Sequence, residues 1–220
     1  MGEMITLKAS DGFALPAYKA MPSEAPKGAI VVNMEIFGVN AHIKRDADKF
    51  ARAGYVAIAP QLFERVAPGL DAGYTPADIE KCRTLIPKVN WDNAIKDLEA
   101  AVAEGKKYGK VGDVGYCWGG AAAWMCATRI GVPSVCYYGG GITGMPKADP
   151  KGPVELHFGA KDQMIPLDGV RKFQADHSET PIFIYDAGHG FNCDERPSYD
   201  KKAAEIALQR TLAFFAQHVG

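Results

Sequence analysis

The sequence predicts an α/β fold: a mostly parallel central sheet flanked by helices, with an antiparallel N-terminal hairpin at its edge. Three observations predict it. Short runs rich in Val, Ile and Tyr, bounded by Gly or Pro, alternate with amphipathic stretches over most of the chain. Such alternation brings parallel strands together and puts helices on both faces of the sheet. The first segments break the alternation, because residues 4–8 and 13–20 are both strand-like and are joined at Asp11-Gly12, a hairpin signal. A length of 220 residues with 47% hydrophobic content suits a single domain over residues 1–220 with a buried core.

After the hairpin, the strand candidates are 29–34, 55–59, 111–116, 134–138, 154–158 and 182–185. Helix candidates are 43–53, 91–108, 121–129, 167–177 and 199–217. In the second of these, Ala94, Ile95, Leu98, Ala101 and Val102 recur on one face at helical spacing. Ser198 is placed to cap the last helix, with Asp200 in its first turn. Residues 61–75 carry Pro and Gly with little periodicity and read as a loop placed to lie over a site. The run Gly139-Gly140-Gly141 reads as a turn near the site or a plain connection.

Composition excludes several classes. A formal charge of −1 argues against nucleic acid or an anionic membrane as partner. No apolar run reaches the ~18 residues of a membrane span. The start, Met1-Gly2-Glu3-Met4, lacks the basic and apolar regions of a secretion signal. Five cysteines (82, 117, 126, 136 and 193) form no C-x-x-C pair and are odd in number, as expected of a reduced, cytoplasmic enzyme more than of a disulfide framework. There is no G-x-x-x-x-G-K-[ST] or G-x-G-x-x-G spacing, so no nucleotide cofactor is expected. Of the histidines, His157 reads as packed in a strand, and His42, His177 and His218 as solvent-facing.

The densest signal is Gly115-Tyr116-Cys117-Trp118-Gly119-Gly120, which follows an apolar run and precedes a helix-like stretch. This is the strand–turn–helix setting of a G-x-nucleophile-x-G elbow, with Cys117 at the apex instead of Ser. The apex backbone is strained, and glycines two residues on either side remove Cβ atoms that would collide. The helix N-terminus beyond it favours a thiolate. Two later segments complete the order nucleophile, acid, histidine of α/β-hydrolases: Phe158-Gly159-Ala160-Lys161-Asp162 and Asp186-Ala187-Gly188-His189-Gly190-Phe191. Cys117 would attack a carbonyl, His189 would carry the proton, and Asp162 would hold the imidazole tautomer.

Each residue also has a plainer reading. Cys117 could be a buried hydrophobe, Asp162 a turn cap and His189 a turn residue. An oxyanion hole would use the N–H of Trp118 and that of Ile36, one residue past the strand's polar end. Glu35 is the odd neighbour, since a carboxylate beside the thiol would raise its pKa; alternatively it only solvates the loop.

Taken together, Met34-Glu35-Ile36-Phe37-Gly38-Val39-Asn40, Gly115-Tyr116-Cys117-Trp118-Gly119-Gly120, Asp162 and Gly188-His189-Gly190-Phe191 resemble the dienelactone hydrolase (carboxymethylenebutenolidase) family, over nearly the whole chain. The resemblance implies a compact α/β-hydrolase without a large lid, a metal or a cofactor. It implies opening of a dienelactone to maleylacetate during degradation of chlorinated catechols, and a monomer. It makes Cys117, Asp162 and His189 the triad, and has Glu35 bond the resting thiol until substrate displaces it. Family members hold the substrate carboxylate with two arginines. Arg83 is the nearest match to the first, in a slightly shifted register. The position four after His189 holds Cys193, leaving Arg196 as the nearest match to the second. Phe37 and Tyr138 complete the candidate substrate-binding residues. A general carboxylesterase stands as the alternative, and a non-catalytic ligand-binding or thiol-sensing protein as another. The intact Cys–Asp–His set argues against the last.

Overall fold

The computed structural model describes residues 2–220; Met1, the first residue of the segment that lacks secretion-signal features, lies outside them. The hairpin is β1 (Glu3–Lys8) with β2 (Ala14–Ala20), antiparallel through pairs from Glu3 with Lys19 to Lys8 with Ala14. Six strands follow: β3 (Ala29–Asn33), β4 (Val56–Pro60), β5 (Val111–Tyr116), β6 (Ser134–Tyr137), β7 (Val154–Gly159) and β8 (Ile182–Tyr185). They form one eight-stranded sheet in the order β1-β2-β4-β3-β5-β6-β7-β8. β2 pairs antiparallel with β4, and every pair beyond it is parallel.

The helices are α1 (Ala41–Arg52), α2 (Pro76–Arg83), α3 (Trp91–Gly105), α4 (Trp118–Met125), α5 (Leu167–Asp176) and α6 (Lys201–His218). β3 to β7 are buried along their full length, as parallel strands covered on both faces must be. α6 lies against bare backbone at Gly112, where a Cβ would meet the Phe215 ring at 2.7 Å. Among the described residues, no helix is long and apolar enough to cross a membrane.

Several local expectations change. α2 was hidden by its weak amphipathicity, but it begins with a capping box: Thr75 Oγ1 accepts from the Asp78 N–H, and the Asp78 carboxylate accepts from Thr75. The cap of α6 is Asp200, which accepts from the Ala203 N–H at 2.9 Å, so Ser198 lies outside the helix. α4 starts directly after Cys117, three residues earlier than its apolar stretch suggested, and continues as a single π-turn over Cys126–Ile130. His42 and His177 are buried rather than solvent-facing, and all five cysteines are buried thiols.

Candidate active site

The parallel strands deliver their carboxyl ends to one edge of the sheet, where ligands of open α/β folds gather. Cys117 lies there between β5 and α4, with φ 56° and ψ −118°. Bare backbone makes this turn possible. A Cβ on Gly115 would sit 1.8 Å from the Gly119 carbonyl oxygen, one on Gly119 would sit 2.3 Å from that of Met34, and one on Gly120 would sit 2.6 Å from that of Tyr137. Gly119 and Gly120 therefore let the elbow press against the ends of β3 and β6, and Gly115 lets α4 fold back onto β5.

His189 reaches Cys117 from the segment after β8. Its Nε2 is 3.2 Å from Sγ, and its Nδ1 is 2.7 Å from Asp162 Oδ2. With Nδ1–H donated to the carboxylate, Nε2 faces the sulfur. The second Asp162 oxygen accepts from the backbone N–H groups of Met164, at 2.8 Å, and Ile165, at 3.0 Å. Asp162 is thus a turn cap and the partner of the imidazole at once; the two readings of this residue do not exclude each other. Burial disfavours the imidazolium, but bonds to Asp162 and then Cys117 outweigh it and raise the His189 pKa to about 10.

Trp118 fixes the other flank of the elbow. It stacks on Trp91, with centroids 4.9 Å apart and planes 13° apart, and meets Phe63 edge-on at 4.8 Å. Among the described residues, no protein acceptor takes up the backbone N–H of Trp118 or Ile36. Both groups are therefore free to bond a developing oxyanion.

Glu35 is 1% exposed but does not bond the thiol. Its Oε1 accepts from Arg196 Nη1 at 3.1 Å and its Oε2 from the Tyr74 hydroxyl at 2.8 Å. A buried carboxylate needs such partners, and the cation is the stronger of the two. Gly190 makes the pairing possible: it has φ 76°, and a Cβ there would meet Arg196 Nη1 at 2.7 Å.

Tyr74 is the residue that sequence reasoning missed, because it sits in the aperiodic stretch 61–75. That stretch is fastened to the segment after β3. Gln61 accepts from the Val39 N–H, Asn40 donates to the Ala72 carbonyl, and Gly38 bridges Asp71. It thereby brings Tyr74 against Phe37 at 4.7 Å. Arg83, in contrast, is exposed at the end of α2 and has no ion pair among the described residues. Tyr138 is buried with φ 35°, its ring 5.2 Å from His189.

Over residues 15–219 the chain matches the dienelactone hydrolase family. A carboxymethylenebutenolidase of Pseudomonas putida is 34% identical over 228 residues, covering 97% of this chain and 96% of its own. The solved structure of a putative dienelactone hydrolase from Klebsiella pneumoniae superposes with a TM-score of 0.85 at 30% identity, covering 99% of this chain and 98% of the other. A dienelactone hydrolase from Anabaena variabilis shares the fold with a TM-score of 0.72 at 16% identity. Fold and relatives define an α/β-hydrolase. The chain belongs to the dienelactone hydrolase family, and it is a carboxylic ester hydrolase.

Proposed function

We propose that the chain opens small lactones or esters through a Cys117–His189–Asp162 triad, with dienelactone, opened to maleylacetate, as the leading substrate. The observation that carries this reading is the relay from Asp162 through His189 to a sulfur on a strained elbow, with contacts of 2.7 and 3.2 Å. In the proposed cycle the Cys117 thiolate attacks the carbonyl carbon, and the N–H groups of Trp118 and Ile36 receive the oxyanion. The ring C–O bond then breaks, and the leaving oxygen takes the proton from His189. Water attacks the resulting thioester, His189 accepts its proton, and release of the acid restores the thiolate. No cofactor enters any step.

Specificity for an acidic substrate rests on Arg196. Its only ion-pair partner among the described residues is Glu35, which a substrate carboxylate would rival for the guanidinium. The family resemblance implies that Glu35, once displaced in this way, takes the thiol proton. Arg83, exposed on α2, is the weaker of the two cation candidates. Phe37 and Tyr138 are proposed as walls of the substrate site.

Steady-state hydrolysis of cis-dienelactone beside p-nitrophenyl acetate, by wild type and Cys117→Ala, tests the proposal. Preference for the lactone that is lost in the variant supports it. Turnover of the neutral ester alone points to a general carboxylesterase. Hydrolysis unchanged in Cys117→Ala overturns the nucleophile assignment. Arg196→Gln should raise KM for the acidic lactone while sparing the neutral ester; equal effects on both would remove Arg196 from substrate binding.

A further inference from the structure

Beside the triad, the fold gathers three side chains that no spacing along the chain connects. Glu35 follows β3, His42 lies in the first turn of α1, and Cys193 lies in the turn after His189. One donor atom of each lies within 4.8 Å of the others, and all three residues are buried. His42 is the telling member. It is 1% exposed, and neither ring nitrogen makes a hydrogen bond: each faces only a carboxylate oxygen, that of Asp46 at 3.6 Å and that of Asp194 at 3.5 Å. A neutral imidazole can turn its one N–H towards one of these carboxylates, but the lone pair of the other nitrogen then meets no donor; an unpaired buried acceptor costs on the order of 1–3 kcal/mol, so that nitrogen calls for a ligand.

We propose that Glu35, His42 and Cys193 form a binding site for a divalent cation of the Zn2+ class. The donor set is one thiolate, one imidazole and one carboxylate, the mixture that Zn2+ takes in tetrahedral sites, with water as the fourth ligand. Around such an ion the three donor atoms stand about 3.3–3.6 Å apart, so closure from the present spread needs side-chain shifts of roughly 1 Å. The surroundings supply what an imidazole ligand uses on its far side: Asp46 Oδ2 lies 3.6 Å from Nε2, and Asp194 Oδ1 lies 3.5 Å from Nδ1. Whichever nitrogen takes the metal, a carboxylate faces the other. Asp194 is half exposed and offers an entry path from solvent. On binding, Cys193 loses its thiol proton to solvent as the sulfur–metal bond forms. The ion would compete with Arg196 and Tyr74 for the Glu35 carboxylate.

The test must separate this site from the Cys117–His189 pair, which could also take a metal, so it starts from Cys117→Ala. Titration of that protein with Co2+ should give a thiolate-to-cobalt charge-transfer band that saturates at one ion per chain. Adding Cys193→Ser should abolish the band, and adding His42→Ala should weaken binding at least about tenfold. No band in Cys117→Ala, or a band that survives Cys193→Ser, overturns the proposal. Wild type provides a check that needs no substitution at the site. Zn2+ should slow iodoacetamide labelling of Cys193, read by peptide mass spectrometry; unchanged labelling counts equally against it. None of these readouts uses turnover, so they stand or fall separately from the proposed hydrolysis.

Discussion

His189 sits between a carboxylate and a sulfur, so its proton is the most sensitive single feature of the molecule. Burial works against the imidazolium, but Asp162 and Cys117 raise the pKa to about 10, against about 6.5 in an unfolded chain. A raised pKa means that the folded state holds the proton longer than the unfolded state does. The stabilisation is therefore complete below about pH 6.5 and is lost as pH climbs through about 10. Urea unfolding should show wild type losing stability over that window, while His189→Gln stays flat by comparison; parallel curves would rule out the raised value. Asp162→Asn would present an amide donor to Nδ1 and favour the wrong tautomer. Its kcat should fall on the order of 10³- to 10⁴-fold with little change in fold. At the elbow, Gly119→Ala drives a methyl into the Met34 carbonyl at 2.3 Å, contact with backbone that no rotamer change relieves. It should destabilise by roughly 3 kcal/mol in denaturant titration. These residues were legible because the elbow, the strand-end aspartate and the glycine-flanked histidine are each short motifs. The Glu35–Arg196 pair spans 161 positions and Tyr74 lies 39 from Glu35, so no local pattern announces either contact.

Between elements, the strand pair at the centre of the sheet carries a charge problem of its own. Asp113 on β5 is fully buried, and both its oxygens accept from Asn33 Nδ2 on β3 at 2.9 Å. Burial raises its pKa to about 7, against the pull of donors from Asn33 and Cys126. The sign matches that of His189: stability is complete below the unfolded carboxyl value of about 3.9 and is lost as pH rises through about 7. Unfolding free energies measured at pH 5 and pH 8 should differ more for wild type than for Asp113→Asn; equal differences would refute the shift. α2 shows why an element can be missed. Its residues lack a strong apolar face, and its one local signal, Thr75-Pro76-Ala77-Asp78, is a cap that reads equally well as a turn. α4 begins earlier than its apolar stretch suggests for a related reason: the glycines that soften it as a helix are needed for close packing at the elbow.

At the scale of the whole molecule, the active edge exists because β3, β5, β6, β7 and β8 all run the same way. The far side is held by packing. Phe215 on α6 is fully buried, meets Phe50 of α1 at 5.9 Å and covers the bare strand at Gly112. Phe215→Ala should cost about 3–5 kcal/mol and lower Tm, yet leave KM unchanged at temperatures where the protein stays folded. A shift in KM would mean that this packing reaches the site. By itself the sequence determined the strand–helix alternation, the hairpin at the edge, the elbow and the order of its partners, because these arise from periodicity, backbone sterics and residues adjacent in the chain. Only the tertiary structure decided that Glu35 faces Arg196 and Tyr74, that Arg83 stays in solvent, and that His42 is buried beside Cys193. Those outcomes depend on which distant segments meet in a low-dielectric interior, where a charge or an imidazole must find whatever partner the folded chain brings to it.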